Sequence, residues 1–191
     1  MLPDKEYMAA HPRRLLIDGD SSMFLQLTSP EDSEQLYRLV SENRHHLKQY
    51  EHWAADIDFE ELHQIVVASA KHVTADGFLQ YRIMLPGQGE HRMIGTVTLY
   101  ERDLLAKTAC LSFWMAEDEK GKGYMRRGIT RLLQYADTAW SLNQVFLEIH
   151  EGNQHAEDVA RHLGAQPTDE VQTEALNGQD LHLRKWVLPR S

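Results

Sequence analysis

The chain has a single cysteine, Cys110, among its 191 residues. One thiol excludes an internal disulfide and suits a reducing compartment. Long apolar runs are also missing: none approaches the roughly 18 residues that a membrane-spanning helix needs. Charged residues flank the short run Leu15-Leu16-Ile17, so the first twenty residues do not read as a signal peptide. Basic residues are outnumbered, 20 Lys and Arg against 29 Asp and Glu, for a formal charge of −9. Such a chain lacks the basic surface that phosphate backbones require, which argues against a nucleic-acid partner held by bulk charge. No repeat and no low-complexity segment occurs. These absences point to a soluble cytoplasmic protein that uses neither nucleic acid nor membrane.

What is present is an ordinary globular mixture, 42% hydrophobic and 26% charged. The length suits a tail over residues 1–20 and one domain over 21–191. A first strand is expected over residues 23–27. Ser29-Pro30-Glu31-Asp32 then has the form of a helix start, with Ser29 as cap and Pro30 in the first turn. Leu36, Leu39 and Val40 mark the buried face, and a second short helix is expected over 44–53. Residues 56–73 have helical periodicity, with Phe59, Leu62, Ile65, Val66, Ser69 and Val73 along one face. Asp76-Gly77 breaks it. Three strands follow, over 78–84, 93–100 and 108–115, close enough in sequence for an antiparallel meander. A helix to about residue 141, a strand over 145–149 and a helix from Gly152-Asn153 to Gly164 come next. Two last strands meet at Asn177-Gly178, a favoured hairpin turn.

Residues 108–129 draw the eye because an apolar strand runs through Lys120-Gly121-Lys122-Gly123-Tyr124-Met125 directly into a helix. A helix N-terminus presents unpaired N–H groups and the positive end of its dipole, a natural anion site. Lys120, Lys122, Arg126 and Arg127 add full charges there, although cations at that end oppose the dipole unless an anion is bound. Two familiar phosphate loops fail. A dinucleotide fingerprint needs glycine where Arg126 stands, and a Walker A loop needs four residues between its glycines.

A third pattern fits. Lys120-Gly121-Lys122-Gly123-Tyr124-Met125 resembles the phosphate loop of the GNAT superfamily of acetyl-CoA-dependent N-acetyltransferases, in the form used by the ribosomal-protein N-terminal (RimJ/RimL-type) branch. Residues 47–53 are similar to that branch's Trp-containing segment, and Ile94-Gly95-Thr96-Val97 to its central strand. Asn153-Gln154-His155-Ala156 through Gly164 is similar to the family's Asn-led helix, about 30 residues after the glycines. The resemblance implies an α/β (α+β) fold: a mixed, mostly antiparallel sheet flanked by helices, with a splayed strand pair that admits acetyl-CoA. It implies that the pantetheine arm lies along Phe113 to Met115, and that Lys120, Gly121, Lys122, Gly123, Tyr124 and Met125 hold the pyrophosphate. Asn153 would contact the arm while also capping its helix.

Acetyl transfer to an amine requires loss of a proton from the ammonium and stabilisation of the carbonyl oxygen. By the resemblance a carboxylate on the strand before the loop often serves as base, but Cys110 stands there. The branch also has a Glu shortly before its hairpin turn, which Glu174 matches to within a residue, so the resemblance implies Glu174 as the base. Hydroxyls that by the resemblance protonate the departing thiolate are replaced by Ala156 and Ala160, so either another group such as His155 protonates it or it leaves as the anion. Trp53 is expected to line the acceptor site. The eleven histidines show no compact metal spacing, and no metal is expected. His45, His46, His150 and His155 read as surface or cap residues. The expected activity is transfer of an acetyl group to a protein N-terminus or a small-molecule amine. The other reading is a non-catalytic acyl-CoA-binding or regulatory module.

Overall fold

The computed structural model describes residues 11–17, 19–72, 78–87, 89–176 and 179–190. The turns expected at Asp76-Gly77 and Asn177-Gly178 lie outside the described residues, as does Val73. The meander forms as the close succession of the three strands led us to expect. Strands β3 (Leu79–Pro86), β4 (His91–Asp103) and β5 (Thr108–Met115) pair antiparallel in succession. β1 (Arg14–Ile17) and β2 (Asp20–Leu27) extend this sheet on one side. β6 (Gln144–His150), β7 (Gln166–Leu176) and β8 (Gln179–Pro189) extend it on the other. The eight strands run in the order β1-β2-β3-β4-β5-β6-β8-β7. Every neighbouring pair is antiparallel except β5 and β6.

Helices cover both faces. α3 (Tyr124–Trp140) and α4 (Gln154–Leu163) bury Ile129, Leu132, Leu133, Ala136 and Ala160 against Leu25, Ile83, Val97, Leu111 and Leu147 of the strands. On the opposite face α1 (Ser33–Leu47) and α2 (Phe59–His72) close a smaller core of Leu36, Val40, Leu62, Val66, Phe24, Met84 and Met93. Among the described residues no helix is long and apolar enough to cross a membrane.

Three expectations need correction. The supposed tail contains strand β1, whose Leu15 and Ile17 are buried in the main core; four residues were too short a run to show a period. The second helix over 44–53 does not form. α1 runs unbroken to Leu47, and only a 3-10 turn at His52–Ala54 follows. Arg44 lies within α1 and holds that following segment, donating to the carbonyls of Ala54 (2.6 Å), Ala55 (2.8 Å) and Ile57 (2.9 Å). The inner face of α2 is Leu62, Val66 and Ala70, while Phe59 and Ile65 are exposed. The start of α1 does follow expectation: a 3-10 turn at Pro30–Asp32 leads into it, and Asp32 accepts the Ser29 N–H at 2.8 Å.

One close approach sets the position of β5. A β-carbon on Gly95 would lie 2.3 Å from the Trp114 carbonyl oxygen, so only glycine lets β4 sit this near.

Candidate active site

β5 and β6 pair for only three rungs, Thr108 with Gln144, Ala109 with Val145 and Cys110 with Phe146. Beyond Cys110 the strands part, and the second half of β5 continues with no ladder partner on that side among the described residues. This is the splayed pair the sequence led us to expect. A cavity of about 570 Å³ opens at the gap, within the range of small-molecule sites. Phe113, Trp114 and Met115 form one wall, Asn153, Ala156 and Val159 another, and residues 46, 47 and 49–51 a third. Lys120, Gly121, Gly123, Tyr124, Met125 and Arg126 close one end.

That end is built by backbone conformation. Gly121 and Gly123 have φ of 76° and 79°, the left-handed region that L side chains resist. Gly123 is also the residue that caps the 17-residue helix α3. A β-carbon there would meet nothing within 4 Å. The glycine is therefore required by its dihedral angle, and the space it leaves opens onto the N–H groups of the first turn of α3. Lys120 and Arg126 line the same end, and burial lowers the Lys120 pKa while Glu117 acts to raise it. Arg126 and His162 are shared with a second cavity, between α3 and the C-terminus, which Arg127, Arg131 and Arg190 also line.

The structure brings together Phe113, Met115, Lys120, Gly121, Gly123, Tyr124, Met125 and Asn153 on one cavity. Lys122 is not on that wall. Its ammonium pairs with Glu119 at 3.1 Å, and Glu119 also receives Arg92 at 2.5 Å. Glu119 is only 3% exposed. Burial works to raise its pKa, but the hydrogen bonds and charges of Arg92 and Lys122 outweigh it and hold the carboxyl below its ordinary range. Asn153 is the N-cap of α4, its Oδ1 accepting the Ala156 N–H at 3.3 Å. An amide keeps its NH₂ for a second partner.

Trp53 stands outside the cavity lining. Its ring lies against Trp114, centroids 5.9 Å apart, and its indole N–H donates to Glu51 at 2.8 Å. Glu174 is also outside the lining, with its carboxylate 3.6 Å from Nδ1 of His52. The thiol of Cys110 is half-buried and donates to Glu101 at 3.6 Å. Burial first, and then the Glu101 carboxylate, push its pKa up to about 12. A thiol so protonated cannot act as base at neutral pH. Ala156 lines the cavity, whereas Ala160 is wholly enclosed in the core, and His155 reaches the cavity rim.

Two of the four histidines depart from expectation, while His45 and His155 are exposed as expected. His46 and His150 are buried rather than superficial. His46 donates from Nε2 to the Met115 carbonyl at 3.2 Å, which ties α1 to the end of β5. Burial lowers its pKa, and Lys120 adds to that. Two trios converge, His45 with His46 and Glu117, and His52 with His150 and Glu174, each with donor atoms within 4.8 Å of one another. Neither trio is a compact motif in sequence, because Glu117 lies far from His45 and His46, and His52, His150 and Glu174 come from three separate segments. Glu51 was missed as well. It lies between Tyr50 and Trp53 in the segment already noted for its tryptophan, but carboxylates in loops are too common to single out.

Comparison with known proteins agrees with this geometry. Residues 23–166 match the family described as the acetyltransferase (GNAT) domain. A Bacillus subtilis (strain 168) protein named as a candidate ribosomal N-acetyltransferase, YdaF, is 22% identical over 142 residues, covering 73% of this chain and 75% of that one. The ribosomal L7/L12 α-N-protein acetyltransferase RimL, solved with coenzyme A, superposes with a TM-score of 0.82 at 19% identity, over 92% of this chain and 97% of the other. The microcin C7 self-immunity acetyltransferase MccE, solved with acetyl-CoA and AMP, gives 0.79 at 18% identity, over 90% and 94%. The matched segment includes the parted strands, the glycine turn and the whole Asn153 helix: this chain belongs to the GNAT acetyltransferase family.

Proposed function

We propose that this protein transfers the acetyl group of acetyl-CoA directly to a primary amine, either a protein N-terminus or a small-molecule amine, in the cytoplasm and as a single catalytic domain that includes β1. The observation that carries the reading is the parting of β5 from β6 after Cys110, above a cavity that ends on the N-terminus of α3. Unpaired backbone along Phe113 to Met115 suits the amide groups of a pantetheine arm. The N–H groups at Gly121, Gly123, Tyr124 and Met125 suit a pyrophosphate. Lys120 and Arg126 add charge at that end, Lys122 stands behind Glu119, and the arginines of the second cavity suit the remaining phosphate of the cofactor. Asn153 uses its NH₂ toward the arm.

The amine approaches from the side of Trp53, Trp114, His52 and Glu174. Glu174 supplies negative charge beside His52 there and favours a cationic acceptor. The experiment is thiol release from acetyl-CoA across a panel of N-terminal peptides, polyamines and aminoacyl compounds. Turnover with at least one amine, abolished by Gly123→Asp, is the expected result. Tight acetyl-CoA binding without thiol release from any amine would instead favour the binding-module reading.

A further inference from the structure

Three carboxylates stand on the cavity wall, and their partners separate them. Glu119 is neutralised by Arg92 and Lys122. Asp158 accepts from Gln154 at 2.7 Å and from Arg161 at 3.1 Å. Glu51 accepts the Trp53 indole N–H at 2.8 Å, and no ion pair to it is found among the described residues. Its flanking residues reach both sides of the gap. Tyr50 donates to the Gly152 carbonyl at 3.2 Å, just past the end of β6, while Trp53 packs against Trp114 of β5. The three bonds from Arg44 anchor the turn that follows. Glu51 is thus held across the opening between the parted strands by a clamped segment, lining the same cavity as Phe113 and Trp114.

We propose that Glu51 is the base of this enzyme, taking the proton from the acceptor ammonium at the mouth of the β5–β6 gap. The inference rests on the acetyl-transfer reading above. Its carboxylate accepts one proton from the ammonium. The freed nitrogen lone pair forms the C–N bond as the carbonyl π pair moves to oxygen. The carbonyl then reforms, and the C–S bond breaks with its pair on sulfur. The second nitrogen proton goes to the thiolate, and Glu51 returns its proton to water. The balance is ammonium plus thioester to amide, thiol and one released proton.

The surroundings suit the task. Withdrawal from water pushes the Glu51 pKa up to about 7, against the lowering effect of the Trp53 hydrogen bond. A base poised near the working pH is the efficient one. The groups around it are His52 on its own segment, Trp114 of β5, Tyr100 of β4, whose phenol is raised chiefly by burial, then by Cys110, Glu148 and Glu101, and least by Glu51, and His150 of β6. Burial and then His52 lower the His150 pKa, and Glu174 acts to raise it.

The test compares wild type, Glu51→Gln, Glu51→Asp and Glu174→Gln by kcat/KM against pH. Acetyl-CoA affinity is measured by calorimetry, and glutamate side chains are ¹³C-labelled to follow carboxyl titration. Expected is a wild-type profile rising with a midpoint near 7. Glu51→Gln should fall about 100-fold or more and lose that limb at unchanged acetyl-CoA affinity. Glu51→Asp should keep the limb with a smaller loss, and one labelled carboxyl titrating near 7 should vanish in Glu51→Gln. A Glu51→Gln rate within about threefold of wild type with the same limb overturns the proposal. So does a Glu51 carboxyl that titrates in the ordinary range near 4.3. Loss of the limb in Glu174→Gln but not in Glu51→Gln moves the role to Glu174. Wild type that binds acetyl-CoA but acetylates no amine fails the parent reading instead, and is recognised before any variant is made.

Discussion

Cys110 and Phe146 form the last rung between β5 and β6, and the cofactor cavity begins where that ladder stops. The ladder's end leaves backbone groups to be satisfied by a ligand, and Gly123 at the far end turns the chain into α3 with φ of 79°. Gly123→Asp should abolish acetyl-CoA binding by placing a carboxylate at the proposed pyrophosphate site. Gly123→Asn is the control, since it has the same shape and a similar left-handed cost of about 1 kcal/mol without the charge. Calorimetry should show the Asn variant binding measurably and the Asp variant not at all. Equal affinity of Asp and wild type would remove the loop from the site.

Glu119 offers a prediction in pH. Its pKa is held below the ordinary value in the folded protein, so its contribution is present above the unfolded pKa and is lost as pH falls through the folded one. Glu119→Gln should be destabilised at pH 7, by about 1–3 kcal/mol, because a buried acceptor loses two cationic partners. It should also show a flatter fall in stability below about pH 4.5 than wild type. Urea unfolding at pH 7, 5 and 3.5 measures both.

Much of this architecture is legible in the sequence because it is local. The apolar, strand-forming run of residues 108–115 and the period of Met125, Ile129, Leu132 and Leu133 set β5 and α3 on their own, and Gly123 and Asn153 mark helix starts by their chemistry. What escaped is long-range or has too little period. β1 is only four residues long, and the inner face of α2 was misread because Phe59 and Ile65 are apolar yet exposed. The meeting of His52, His150 and Glu174 joins three segments that only the sheet order brings together. Glu51 depends on the clamp by Arg44, which no pattern of residue types announces.

The two alanines of α4 should respond differently to a restored hydroxyl. Ala156 lines the cavity, and Ala160 is 0% exposed in the core. Ala156→Ser should fold normally and raise kcat several-fold where thiolate departure limits the rate, because a hydroxyl there can donate to sulfur. Ala160→Tyr should lose about 1–3 kcal/mol by overpacking with no gain in rate. Thermal unfolding beside steady-state kinetics separates them. A stable and faster Ala160→Tyr would mean that α4 packs less tightly than described.

Trp53 and Glu51 give the sharpest linked pair of outcomes. The indole N–H favours the ionised carboxylate, so Trp53→Phe, which keeps the ring against Trp114 but deletes the donor, should raise the midpoint of the kcat/KM limb above 7. Stability should move in the matching direction. A carboxyl whose folded pKa is raised is stabilising while protonated, and that contribution fades as pH climbs from the unfolded value toward about 7. Glu51→Gln should therefore gain stability over wild type at pH 8, on the order of 1 kcal/mol after allowance for solvent screening, and gain little at pH 5. Melting curves at the two pH values, set beside the Trp53→Phe profile, test one carboxyl by two routes. A downward shift in the Trp53→Phe midpoint, or an equal Tm difference at both pH values, would show that Glu51 is an ordinary solvated carboxylate.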